Sequence, residues 1–409
     1  MRSTLTDTSS KPKTNWRPDI FACGMAMFLF ASAVKPGTLT EFDSVTYTGV
    51  VAFLRDHSQH IGIVGLLLLL CTWLRRPKLT PFQISYPALW FLVFKAVIAL
   101  RIAIAPNSGM EQIVSFVSLT LLYFILLAKD GSLGAERNYE ALFKGICYFA
   151  AAILLMNLYL CLFQYSTTSW KGRFVGVFQH PNFAGVNFAI CASIIFGFNY
   201  TQKNYQPNKI INFFSTMLLI ISALLIMATG SRTGILGFVS ATIGYMYIQN
   251  KIKPSTIFLL SFAAFITLLS LDSIIELLAH NIPGIKRITE AGNTRDGVWV
   301  SMWDYFMANP LFGAGLEVKA TAGSYLRVLS MGGLAAATPL LICMLLCIKR
   351  TWRVREKFKF RNAWLPGLSC ILVTSITEGY LADALSLGLI YFVLIVFVLS
   401  YRKPLSVRA

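Results

Sequence analysis

The residues of this chain best placed to do chemistry are Gly230-Ser231-Arg232-Thr233-Gly234, which interrupt an apolar run from Asn212 to Asn250. One membrane-spanning helix takes about 20 residues, so the run is about twice too long for one. Lys203 and Lys209 precede it and Lys251 and Lys253 follow it, so the positive-inside tendency puts both ends in the cytoplasm. The run reads as two helices folded back on each other, with Arg232 at the turn on the far face. A guanidinium there cannot lose its proton, and an isolated charge at membrane depth is costly. Arg232 needs an anion, from the protein or from a substrate.

Other outer segments gather Arg173, Lys286, Arg287, Arg295, Lys319 and Arg327. Arginine matches phosphate oxygens with paired hydrogen bonds, so several converging arginines imply a phosphate or diphosphate ligand. The alternative is that each pairs with an outer acid, and Glu290, Asp296 and Asp304 are close in sequence. Three groups could take a proton there. Glu317 is an outer acid, to be weighed against a solvated loop carboxylate. His180 precedes a proline at a span entrance, where a cap is the competing role. Glu378, in Thr377-Glu378-Gly379-Tyr380, is an acid near the outer end of a span, either functional or a partner for an outer arginine. Lys95 and Arg101, in an earlier span, read as side chains that snorkel outward or help seat a lipid phosphate.

The elements that must position these groups are membrane helices. The chain has 409 residues, 56% of them hydrophobic, and apolar runs of spanning length recur throughout. The predicted fold is all-α, a single polytopic membrane domain over residues 1–409. Spans fall near 19–35, 60–74, 83–104, 112–128, 142–164, 183–200, either side of Arg232, 255–271, 328–348, 364–381 and 386–401, about twelve in all. Both termini come out cytoplasmic. The net charge of +18 is not gathered into one patch but concentrated in loops assigned to the cytoplasm, which argues for topology and against nucleic-acid binding. All eight cysteines sit in apolar runs without metal-ligand spacing and read as packing residues. The polar N-terminus shows no cleavable signal pattern. The longest polar stretch, 272–326, is an outer loop. Within it Val298, Trp299, Met302, Trp303, Tyr305, Phe306 and Met307 give an aromatic helix face, predicted to lie at headgroup level.

Gly172-Arg173-Phe174-Val175-Gly176-Val177-Phe178-Gln179-His180-Pro181-Asn182, then a span, then Ser231-Arg232-Thr233-Gly234 resembles the O-antigen ligase and Wzy-type polymerase superfamily. Asn293-Thr294-Arg295 with Trp299, the Asn309-Pro310-Leu311-Phe312-Gly313-Ala314-Gly315 run, and Ser324-Tyr325-Leu326 with Gly333-Leu334 follow in the same order. The resemblance covers roughly residues 165–385. It implies a GT-C type glycosyltransferase of the bacterial inner membrane, with its active site facing the periplasm and its glycans carried on undecaprenyl diphosphate. It also implies that Arg232 and Arg295 hold the diphosphate. Beside them, Arg173, Arg287, Arg327, Asn182 and Tyr325 are the substrate-binding candidates, and Glu317, His180 and Glu378 the further catalytic ones. Diphosphate is already a good leaving group, so no metal or other cofactor is expected. Ligases of this family usually carry His-Asn directly before the Ser-Tyr-Leu segment, where this chain has Ala322-Gly323.

That departure favours a polymerase, which extends one lipid-linked unit with the glycan of another. The alternative is a ligase that moves the glycan to lipid A-core. The expected partners are the undecaprenyl-diphosphate-linked glycan, an acceptor glycolipid, membrane lipid and a chain-length regulator protein. A transporter of an anionic lipid or solute is a more distant reading, disfavoured because the candidate charges lie on one face and no internal repeat is seen.

Overall fold

In a bilayer the backbone must satisfy its own hydrogen bonds, and the apolar runs of this chain do so as helices. The computed structural model describes residues 18–34, 45–74, 85–103, 110–130, 135–205, 208–249, 296–315, 322–353, 362–383 and 385–400. In order these form α1 (Pro18–Ala33), α2 (Gly49–Asp56), α3 (Ser58–Leu74), α4 (Tyr86–Ala103), α5 (Met110–Asp130) and α6 (Ala135–Phe163). A hairpin of β1 (Ser169–Trp170) and β2 (Arg173–Phe174) follows, antiparallel, with Trp170 opposite Arg173. Then come α7 (Pro181–Tyr205), α8 (Lys209–Thr229), α9 (Arg232–Ile248), α10 (Asp296–Ala308), α11 (Ser324–Arg353), α12 (Leu365–Thr377) and α13 (Leu387–Ser400). Five of the described helices have stretches long and apolar enough to cross a membrane: Tyr86–Ala103, Ala141–Phe163, Pro181–Lys203, Lys209–Thr229 and Ser324–Thr351. Five shorter apolar helical stretches accompany them. This is the architecture of an α-helical integral membrane protein. The expected span at 255–271 lies outside the described residues.

Of the five long apolar stretches, the one in α7 is the most enclosed. In its apolar stretch 72% is buried, against 22% for α8, so α8 is the one that faces lipid. Phe188, Ala189, Ile190, Cys191 and Ala192 are buried on α7, whereas Ile210, Phe213, Phe214, Ile220 and Leu224 are exposed on α8. α8 and α9 do not pack tightly on each other as a simple hairpin would; both lean on α7, and α9 also packs along α12. Small residues make that possible. A Cβ on Gly234 would lie 2.8 Å from the carbonyl carbon and oxygen of Gly185 on α7, and one on Gly237 would meet Ala189 and Thr374. With lipid tails as apolar as leucine, such close backbone contact is what draws membrane helices together.

α11 is broken at Gly333, where φ is 59° and ψ −160°. The loop after α10 fills the break. Leu334 N–H donates to Pro310 O at 2.8 Å, Ala335 N–H to Leu311 O at 3.0 Å, and Ala314 N–H to Ser330 O at 2.7 Å. The Asn309–Gly315 motif therefore supplies the backbone partners that an interrupted helix lacks. Arg101 of α4 holds the same loop, its Nε donating to Gly313 O at 3.2 Å. α10 itself has two apolar sides. Met302 is buried, and Val298, Trp299 and Tyr305 pack on the core, while Val300, Trp303 and Met307 are exposed. The single aromatic face read from the sequence is thus divided between protein and surroundings.

Candidate active site

The turn between α8 and α9 is built by two consecutive small residues, Gly230 and Ser231. Gly230 closes α8 in the left-handed conformation (φ 59°), its N–H donating to Met227 O. Only glycine takes that conformation without steric cost. Ser231 then caps α9, its Oγ accepting from Gly234 N–H at 3.1 Å, while its own N–H donates to Thr229 Oγ1 at 3.2 Å. Arg232 is the first residue of α9, and its side chain is exposed. A helix N-terminus carries partial positive charge and unsatisfied N–H groups. The guanidinium and the helix end therefore favour the same kind of ligand, an anion.

Arg173 is buried behind this turn. Its Nε donates to Thr229 O at 2.8 Å, and its Nη2 donates to Asn182 Oδ1 at 2.6 Å and Gly230 O at 3.4 Å. These carbonyls are the ones a helix C-terminus leaves unpaired. Arg173 and Asn182, both expected to bind substrate, thus lie against the back of the turn and fix its shape. His180 Nδ1 accepts from Asn182 N–H at 3.0 Å and so caps α7.

The hairpin that delivers Arg173 is braced from elsewhere. Asn157 of α6 accepts from Val177 N–H at 3.0 Å, and Thr46 N–H donates to Thr167 O at 2.9 Å. Tyr47 OH donates to Gly176 O at 2.7 Å beneath the Arg55 guanidinium, 4.2 Å from the ring centroid. Burial pushes the Tyr47 phenol up to about 12, with Arg55 pulling the other way, so it remains a donor at neutral pH.

Glu378 approaches the turn from the end of α12. It is buried, and its Oε1 accepts from Thr233 Oγ1 at 3.3 Å; Thr233 Oγ1 also bonds Thr377 Oγ1 at 2.9 Å. The segment before α11 pairs with the same end. Ala322 and Glu378 form an antiparallel bridge, Gly323 N–H donates to Thr377 O at 3.0 Å, and Ser324 N–H and Oγ both donate to Glu378 O. The structure thus joins Arg232, Thr233, Glu378 and Ala322-Gly323-Ser324 in one place. α10 comes close too, since Trp299 Nε1 sits 3.5 Å from where a Cβ on Gly323 would be. α10 starts at Asp296, directly after Arg295. Arg295, Arg287 and Glu317 themselves lie outside the described residues.

Two other expected residues hold the scaffold. Tyr325 OH donates to Leu372 O at 2.8 Å, tying α11 to α12. Arg327 forms an ion pair with Asp383 and donates to Gly379 O at 3.2 Å. Lys95 does not snorkel: it is buried and donates from Nζ to Asp383 O at 3.1 Å. Asp383 is a residue the sequence reading missed. Its signal was available, an acid close to a penultimate span in a chain with two intramembrane cations in need of a partner. Lys95 is buried and Arg327 and Asp383 are half-buried, so breaking this cluster from one side costs about 1–3 kcal/mol. Lys95→Met and Asp383→Asn should each lower the thermal midpoint of the detergent-purified protein by several degrees, and the double variant by less than their sum. Unchanged midpoints in both single variants would show that the cluster does not hold α4, α11 and the 379–383 turn together.

Comparison with known proteins fits this geometry. Residues 217–333 match the family model described as O-Antigen ligase. That stretch runs from α8 through the Arg232 turn and α10 to the break in α11. No curated protein matches the chain. Part of this α-helical membrane protein is therefore similar to the O-antigen ligase family, which supports the resemblance read from its motifs.

Proposed function

We propose that this protein is a metal-independent GT-C type glycosyltransferase that polymerises undecaprenyl-diphosphate-linked oligosaccharide units at the periplasmic face of the inner membrane. The observation that carries the reading is Arg232, exposed at the N-terminus of α9 within a turn whose backbone is clamped by the buried Arg173. Charge grows on the diphosphate as the anomeric carbon–oxygen bond breaks, and a preorganised guanidinium beside helix N–H groups stabilises that charge. Arg295, immediately before α10, supplies a second guanidinium. The capped turn fixes the backbone from which Arg232 and the N–H groups of α9 reach that anion.

The ligase reading differs in its acceptor. Ala322-Gly323 occupies the place where ligases of the family carry His-Asn, which favours the polymerase. Purified protein in liposomes, given lipid-linked repeat units alone, should lengthen the glycan. Transfer seen only when lipid A-core is added would make it a ligase. Movement of an anionic lipid across the bilayer with no new glycosidic bond would make it a transporter.

A further inference from the structure

We infer that Glu378 is the base that takes the proton from the acceptor sugar's hydroxyl, and that Ala322 leaves the space the acceptor enters; this rests on the transferase reading above. The geometry has three parts. Residues directly opposite in an antiparallel bridge project to the same face, with Cβ atoms about 4.5–5.5 Å apart. Glu378 and Ala322 are such a pair, so the carboxylate stands beside a side chain of one carbon. Its Oε1 is turned toward the first turn of α9 by Thr233, the neighbour of Arg232. Two other described proton acceptors, His180 and Asp383, have structural roles. His180 Nδ1 accepts from Asn182 N–H, and Asp383 is ion-paired with Arg327.

The backbone around Glu378 is held as a base requires. Its carbonyl receives two hydrogen bonds from Ser324, its N–H donates to Thr374 O at 2.9 Å, and Arg327 holds the next carbonyl. The reaction then balances. The acceptor hydroxyl gives its proton to Glu378 while its oxygen bonds the donor's anomeric carbon. The carbon–oxygen bond to diphosphate breaks, its electron pair leaves on undecaprenyl diphosphate against Arg232, and Glu378 returns the proton to water.

The test compares undecaprenyl diphosphate affinity with turnover on lipid-linked repeat units. A positioned base contributes about 10²–10⁴-fold. Glu378→Gln should lose at least about 100-fold in turnover while binding undecaprenyl diphosphate within about twofold of wild type. Adding Ala322→His to that variant should recover about tenfold or more, because the imidazole enters from the facing position of the bridge. Near wild-type turnover in Glu378→Gln overturns the assignment, as does equal loss of binding and turnover. If Glu378→Gln does not elute as a single species, Glu378→Asp replaces it, with turnover down about tenfold at unchanged affinity expected and an equal fall in both overturning it. Failure of wild type itself to bind undecaprenyl diphosphate would instead overturn the transferase reading.

Discussion

Replacing Arg232 with alanine should abolish glycan transfer and leave the fold intact. The side chain is exposed, and the turn that carries it is held by groups that the substitution does not touch: the Ser231 Oγ cap on Gly234 N–H, the Gly230 left-handed cap and the Arg173 bonds to Thr229 and Gly230 carbonyls. Removing one preorganised donor from a developing anion costs about 10²–10³-fold in rate. Loss here should reach at least the upper end, because a full charge is lost along with the hydrogen bonds. Arg232→Lys should also lose most activity, since a point charge cannot reproduce the two-pronged fork that fits phosphate oxygens. Turnover at saturating donor, alongside the elution profile of each variant, checks both. Full activity in Arg232→Ala would remove this residue from the mechanism.

The second large effect is expected at Gly234. Its Cβ position lies 2.8 Å from Gly185 C and O and 2.9 Å from Gly185 Cα, all of them backbone atoms that cannot rotate away. Ser231 presses on Gly185 from the same turn. Overpacking of this kind costs about 1–3 kcal/mol where neighbours can adjust, and more where two helix backbones must separate. Gly234→Ala should lower the thermal midpoint by several degrees. Gly234→Leu should wedge α9 from α7, displace the first turn of α9 and remove both monodisperse protein and activity. A Gly234→Leu variant that is as stable and active as wild type would show that this helix crossing does not position Arg232.

The Arg232 turn was legible because two physical signals coincide there: a run too long for one span, and lysines at both its ends. The stop of α8 at Gly230 and the cap of α9 at Ser231 follow from the same residues. What holds the turn was not legible. Arg173 reaches backbone carbonyls more than fifty residues away, and a carbonyl contributes no residue type to a pattern. The same blindness applies to the Asn309–Gly315 motif. Its order was recognised, but its role, backbone bonding into the Gly333 break, involves hardly any side-chain chemistry. Gly333 alone reads as a mild flaw in a long helix. Lys95 was seen as a charge in a span but sent outward, because its acceptor, the carbonyl of Asp383, belongs to a helix-following turn almost three hundred residues on. Glu378 was found as an acid at membrane depth. Its pairing with Ala322, which gives it a place in the site, required the bridge.

The account depends on a diphosphate meeting Arg232, and a structure of the protein with undecaprenyl diphosphate bound is its most direct measurement. The predicted result is diphosphate oxygens within hydrogen-bonding distance of the Arg232 guanidinium at the N-terminus of α9. A diphosphate seated elsewhere, with Arg232 engaged by a carboxylate of the protein instead, would contradict it.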